Sequence, residues 1–358
     1  MRVLWISGRE IGSDLAGTTE HYLATSMGEN GAEVTLMSPG RYIGENYSHI
    51  GLEKLKIPGL ETLSSANEIH KKISGMDLNI FDVVIIDWRY VYPIRKIISE
   101  LEKSWFIIDR GPPAYPGILK RFQKWYWKRA WEIAENSASG GFVVSEEHAN
   151  FVEEYAGISL NREILPAGTC QENTIIHKPD PMKKISLAYI GRIDKRRGLM
   201  SIEKLSSELE KQGLEFEINV CGEGDIEKKI EKLSRRDNRL IYHGKIPQVE
   251  VGKILSLCHV GIMTMPDLPI WRIASPLKLA EYLSSGLAII GPRHPGNGSK
   301  IEEACILLTE NNWEVKSVSI LSSLTSEDWG EIVDSARKYS KSLTWKGVSI
   351  RMINALRE

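Results

Sequence analysis

The chain has 358 residues, enough for two domains that each bury a core, which argues against a single small binding module. Its 46 Lys and Arg stand against 47 Asp and Glu, a formal charge of −1, so no overall basic field exists to hold a nucleic-acid backbone. Hydrophobic residues at 42% and charged residues at 26% describe a folded globular chain and are too apolar for a disordered one.

The four cysteines, Cys170, Cys221, Cys258 and Cys305, lie far apart with no C-x-x-C pair. That spacing predicts a reducing cytosol rather than a disulfide framework or a zinc ribbon. The opening MRVLWISGRE has one early Arg, a short apolar stretch and then Gly8, without the longer apolar region of a signal peptide. No apolar run approaches the length that spans a bilayer.

Short β-rich runs alternate with helical patterns along the chain. The predicted strands of the first half are VLWIS (3–7), EVTLM (33–37), DVVII (82–86), WFIID (105–109) and GFVVS (141–145), with helical periodicity at 20–30 and 93–103. Near-continuous apolar strands separated by helices predict a parallel sheet covered on both faces. A polar stretch with Pro179 and Pro181 at 172–184 predicts a linker. Strands then resume as ISLAYIG (185–191), FEINVCG (216–222), LIYHG (240–244), HVGIMTM (259–265) and LAIIG (287–291), and the stretch from about Ser326 to Glu358 is predicted helical throughout. The expectation is an α/β chain of two Rossmann-like domains, 1–172 and 183–342, facing each other across a cleft at the carboxyl ends of their strands.

The segment YIGRIDKRRG at 189–198 places Gly191 at a strand end, then Arg192 and Arg197 before Gly198 and a helix. A strand-end Gly admits close approach of a ligand to backbone, and two guanidiniums at a helix-opening loop suit a diphosphate. Taken alone, the segment equally describes a solvated basic turn. It is followed by CGEGD (221–225), HGKIP (243–247) and ASPLKLAEYLSSGLAIIG (274–291), each at a strand end or helix start.

In that order and context these segments resemble the family-4 glycosyltransferases of the GT-B fold, which carry a G-R-x(4)-K-G segment, a G-x-G turn and a P-x-K-x-x-E-Y-x-x-x-G helix. AGTTEHYLATSMGENGAEVTLMSP (16–39) is similar to the family's Gly-rich loop, helix and second strand, with Gly12, Gly17 and Thr18 implied at the phosphate and acceptor loop. ILPAGT (164–169) resembles the close of the first domain. LTWKGVSIRMINAL (343–356) resembles a C-terminal helix that returns toward it.

The resemblance implies that Arg192 and Arg197 grip the donor diphosphate, Arg197 standing where Lys is usual, and that Glu281 bonds the nucleotide ribose hydroxyls. Pro276 suits a first helical turn, where the amides of Leu277 and Lys278 are open to a phosphate. Gly222, Gly224 and the stretch His243, Gly244, Lys245 and Ile246 are implied beside the base, His243 itself being more simply a turn residue. Two departures stand out. Ile273 occupies the place of a sugar-contacting Glu, so Trp271, Arg272 and Ser275 are the candidates to line the sugar pocket. The fourth strand ends in Asp109, Arg110 and Gly111 instead of the family's His. Asp109 is then either an acceptor-side catalytic group or a turn former, and Asp87 carries the same two readings.

No D-x-D and no zinc spacing appears, so no metal and no cofactor is expected. The run ILKRFQKWYWKRAW (118–131) combines Lys120, Arg121, Lys124, Lys128 and Arg129 with Trp125, Trp127 and other aromatics and holds no acidic residue. It is either a helix that docks on an anionic membrane or one that buries its aromatics in the core. The resulting expectation is a cytoplasmic, retaining, metal-independent transferase, peripheral on a membrane in the first case. It would use a nucleotide-sugar donor and a saccharide, lipid-linked or phospholipid acceptor, and no nucleic acid. A nucleotide-sugar epimerase or phosphorylase of the same fold, or a non-catalytic nucleotide-sugar-binding protein, is the alternative.

Overall fold

A computed structural model describes residues 1–11, 17–41, 44, 46–53, 61–113, 118–170 and 179–358, with the side chains of residues 61, 63 and 118–120 set aside. Gly12, the side chain of Lys120 and most of the 172–184 stretch therefore lie outside the described residues. The chain divides into two compact units, Met1–Ala167 with Trp345–Glu358, and Gly168–Thr344.

In the first unit the order is β1 (Arg2–Ile6), α1 (Thr18–Glu29), β2 (Glu33–Pro39), β3 (Ser48–Leu52), α2 (Glu61–Ser74), β4 (Val83–Asp87), α3 (Trp88–Val91), α4 (Arg95–Ser99), β5 (Ser104–Ile108), α5 (Ile118–Ser137), β6 (Gly140–Val143), α6 (Glu146–Ala156) and β7 (Arg162–Ile164). All strand pairs are parallel in the order β3-β2-β1-β4-β5-β6-β7. The run Val83–Asp87 is buried at every residue, as expected for a strand covered on both faces. The strand order turns between β1 and β4, the place where ligands bind in open parallel sheets.

The second unit runs β8 (Ile185–Ile190), α7 (Ser201–Lys211), β9 (Phe216–Cys221), α8 (Glu227–Arg236), β10 (Leu240–Gly244), α9 (Gln248–Leu257), β11 (Val260–Ile262), α10 (Pro269–Arg272), α11 (Leu277–Ser284), β12 (Ala288–Pro292), β13 (Ile306–Thr309), α12 (Trp313–Ser323) and α13 (Ser326–Ser340). Its sheet is again all parallel, β10-β9-β8-β11-β12-β13, and turns between β8 and β11. This is the two-sheet GT-B architecture.

Strands β3, β7 and β13 were not among the predicted ones. All three are edge strands; β3 and β7 are short and mixed in polarity, so neither alternation nor an apolar run announces them, and β13 is a four-residue apolar run that periodicity alone does not separate from a buried helix. The predicted helix at 93–103 shrinks to the five residues of α4. The helical tail is not continuous: α13, opened by a capping box between Thr325 and Asp328, ends at Ser340. The chain then passes through Thr344, bridged to Thr169, before α14 (Trp345–Ala355). Helix α14 packs on α1 in the first unit. Tyr22 stacks on Trp345 with centroids 6.0 Å apart, and Asn30 Nδ2 donates to Ser349 Oγ at 3.0 Å.

Candidate functional site

In the second unit the carboxyl ends of β8, β9 and β10 are drawn together by backbone. Gly191 N–H donates to Cys221 C=O at 3.0 Å, and Gly222 N–H to Gly244 C=O at 2.8 Å. Gly222 has φ +139°, and a Cβ there would meet the Gly191 carbonyl oxygen at 1.8 Å, so only glycine closes this layer. Gly224 has the same reason for being glycine, since a Cβ there would meet the Ile193 carbonyl oxygen at 2.3 Å.

The loop leaving β8 carries the two arginines, and both converge on one carboxylate that sequence reasoning had passed over. Arg192 donates from Nε to Asp194 Oδ2 at 2.9 Å and from Nη2 to Oδ1 at 3.3 Å. Arg197 Nε stands 3.7 Å from the same Oδ2. Burial works against the Asp194 charge, but the bonds and charge of Arg192, the Asp225 amide and Arg197 hold its carboxyl below the ordinary value. The Arg197 guanidinium lies 5.0 Å from the Trp271 ring centroid, a stacked cation, so Trp271 meets Arg197 directly. Arg272 turns away, pairing with Asp267 through an Nη2 bond of 2.8 Å.

Helix α11 begins at Leu277 with Pro276 as its N-cap. Pro276 therefore precedes the first turn instead of occupying it, and the amides of Leu277 and Lys278 are among those an α-helix leaves without an internal acceptor. Lys278 is buried and sits 3.9 Å above the Tyr189 ring centroid. One turn on, Glu281 accepts a hydrogen bond from Gln248 Nε2, and burial pushes its carboxyl up to about 7. His243 is a partner of Asn219, Nε2 lying 2.8 Å from Oδ1, with its imidazole pushed down by burial. Lys245 pairs with Glu223 at 2.8 Å, and Ile246 packs against the core. Ser275 lies just before the N-cap. Asp194, Gln248 and Asn219 had no motif to mark them; their partners are set by the fold.

The first unit decides two readings. Asp109, expected as either an acceptor-side group or a turn former, is fully enclosed and forms a turn through the Gly111 amide. Its Oδ2 accepts from Trp127 Nε1 at 2.6 Å and Trp131 Nε1 at 3.1 Å, its Oδ1 from the Gly111 amide at 2.9 Å, and His148 Nε2 stands 3.3 Å away. Against the cost of burial, His148, the Trp127 indole and the Gly111 amide hold the carboxyl down to about 2. A carboxylate enclosed in the core in this way is out of reach of an acceptor. By the same contacts Trp127, expected on a membrane patch, is only 2% exposed and belongs to the core.

The rest of that patch is outward. Arg121, Lys124, Lys128 and Arg129 are exposed, Phe122 is 61% and Trp125 44% exposed, and these two rings stack at 6.0 Å. Arg129 lies 5.8 Å from the Trp125 centroid and Lys124 5.1 Å from that of Tyr155. Helix α5 is thus two-faced, with the indoles of Trp127 and Trp131 inside and a basic aromatic face outside.

At the carboxyl end of the first sheet, Gly17 caps α1 and Thr18 opens it. Glu20 in that first turn is buried, and burial raises its carboxyl against the opposing charges of Arg9 and Arg110. Asp87 caps α3, accepting from the Arg89 amide at 2.9 Å and from Arg89 Nη1 at 2.7 Å. Glu20, Arg9 and Arg89 were not expected from the sequence, because only the return of separate strands to one sheet end assembles them. Among the described residues no group of three His, Cys, Asp or Glu is placed to hold a metal ion, and no helix is long and apolar enough to cross a membrane.

Comparison with known proteins follows the same lines. Residues 184–324 match the family model described as Glycosyl transferases group 1. Among solved structures, the chain is similar to sucrose-phosphate synthase from Thermosynechococcus elongatus, with a TM-score of 0.79 and 14% identity over 99% of this chain and 98% of that one. It is also similar to Anabaena HepE in complex with UDP and glucose, with a TM-score of 0.72 and 11% identity over 100% and 99% of the two chains. A third is WaaG, a glycosyltransferase involved in lipopolysaccharide biosynthesis, at 0.70 and 13% over 99% and 98%. No curated protein matches the sequence.

Proposed function

We propose, from the match of residues 184–324 to the family model described as Glycosyl transferases group 1, that this protein moves a hexosyl group from a nucleotide-diphosphate donor to an acceptor, with retention at the anomeric carbon and without a metal ion. The observation that supports this most is the pairing of Arg192 and Arg197 on Asp194, which preorganises two guanidiniums at the switch point of the second sheet.

Charge develops on the diphosphate as the sugar departs. Donors fixed in place beforehand stabilise that charge more than they stabilise the ground state, and this lowers the barrier. Arg192, Arg197 and the first amides of α11 fill that role. Glu281, held by Gln248, takes the ribose hydroxyls. Trp271 flanks the sugar and fixes Arg197, while the Gly222 to Gly224 turn and the His243 to Ile246 stretch border the base. The acceptor belongs to the strand ends of the first unit, where Arg9, Arg110 and Glu20 lie together. The outward face of α5 fits a peripheral site on the cytoplasmic side of a membrane and a lipid-linked or phospholipid acceptor.

The UDP and glucose of the Anabaena structure make a UDP-hexose the first donor to test. In a thermal-shift series against UDP, GDP and ADP sugars, one family should raise Tm by the amount expected of a ligand held far above its Kd. Consumption of that donor should require an acceptor and persist in EDTA. Turnover without acceptor, or only with phosphate, would make the protein an epimerase or a phosphorylase. Activity lost in EDTA and restored by Mg²⁺ would refute the metal-free mechanism.

A further inference from the structure

Lys278 is the most unusual charged residue of the second unit. The residue is 6% exposed, and Nζ has no hydrogen-bond partner. It lies 3.9 Å above the Tyr189 ring, on the same face of α11 as Tyr282, whose hydroxyl accepts from the Ile190 amide at 3.0 Å. A buried ammonium that bonds nothing is costly, and a side chain of similar length without the charge would fill the space better.

The same place holds a second unmet donor. Arg197 Nε is also buried without a hydrogen-bond acceptor, its nearest carboxylate oxygen being at 3.7 Å. The charged and titratable groups facing Lys278 are Tyr189 and Arg197 from β8 and its loop, and Glu281 on its own helix. Burial first, and then the like charge of Arg197, press the Lys278 amine well below the ordinary lysine value, with Glu281 opposing them. Two neighbouring cationic side chains with unsatisfied nitrogens, beside the open amides of a helix start, form an arrangement that an oxyanion completes.

We propose that the side chain of Lys278 is a third cationic ligand, with Arg192 and Arg197, of the donor diphosphate, and that it takes up a proton from solvent as that anion arrives. The proposal rests on the donor-site reading above. The only bond formed is N–H on the lysine amine, and no bond of the donor breaks in this step. The empty protein then avoids a full unpaired charge in its core, and the charge appears where and when the diphosphate supplies a counter-ion.

The test uses full-length protein with pyrophosphate and UDP, titrated calorimetrically at mildly alkaline pH in two buffers of different ionisation enthalpy. Wild type should show net proton uptake, and Lys278→Met none. Lys278→Met should unfold at a higher temperature than wild type when empty, yet bind both ligands at least about tenfold more weakly, as expected for one lost charge-assisted contact. A merely structural lysine gives the opposite pattern, with lower Tm and unchanged affinity. Should the variant not fold, absence of proton uptake by wild type would still overturn the proposal. Equal UDP affinity in the two proteins would overturn it while leaving the donor site standing, whereas wild type that binds no nucleoside diphosphate at all would remove both.

Discussion

Arg197 stacks on Trp271, guanidinium carbon to ring centroid 5.0 Å. The contact ties the loop after β8 to the segment after β11, the two strands between which the second sheet reverses order. One cation of the candidate diphosphate grip is thereby held on both sides, by an indole and by Asp194.

Arg192→Ala and Arg197→Ala should each lower kcat at least about tenfold, the value of roughly 1.5 kcal/mol for a charge-assisted contact. Trp271→Ala should lower it less, by about threefold, because it frees Arg197 without removing it. Steady-state kinetics with the donor that the thermal-shift series selects checks this. Wild-type kcat in both arginine variants would refute the assignment.

Glu281 gives a pH dependence whose sign is fixed. Burial raises its carboxyl from 4.5 to about 7 in the folded chain, so between those values the native state binds more protons than the unfolded one and stability falls as pH rises. Glu281→Gln should flatten that part of the Tm profile and raise Tm above neutrality, while weakening nucleotide binding. An unchanged profile would mean that the carboxyl titrates normally.

Asp109→Asn should destabilise the first unit by about 3 kcal/mol near neutral pH, as breaking one side of a buried ionic cluster does. Its folded value of about 2 lies below the ordinary 3.8, so the stabilisation is complete above 3.8 and is lost as pH falls toward 2. Urea unfolding measures it. Nucleotide affinity should stay the same, since the residue serves packing in the first unit.

The outward face of α5 should bind anionic liposomes at low salt and release them as salt rises, since each basic residue near such a surface contributes about 1 kcal/mol and is screened within about 8 Å at physiological ionic strength. Replacing Arg121, Lys124, Phe122, Trp125 and Lys128 by Ser should abolish flotation and leave UDP binding intact. Trp127→Ser should instead unfold the protein, because that indole bonds Asp109 inside the core.

Which parts were legible in the residues follows from what each part depends on. Alternating apolar runs and helical periods depend on neighbours in sequence, so the two parallel sheets and the strand-end segment with Gly191, Arg192 and Arg197 could be located directly, while Glu281 on its helix was marked by the family resemblance. The edge strands β3 and β7 gain their place from a partner strand, and their own mixed composition says little. The fate of Asp109 was decided by two indoles on α5 and an imidazole on α6, which only packing brings to the end of β5. The same packing divides one aromatic stretch into a buried side with Trp127 and an outward side with Trp125. Lys278 looks like any helix lysine in the motif. It becomes an unpaired buried amine because Tyr189 and Arg197, from another strand and its loop, close over it. Local pattern sets the elements; burial and charge pairing between distant segments set what each side chain can do.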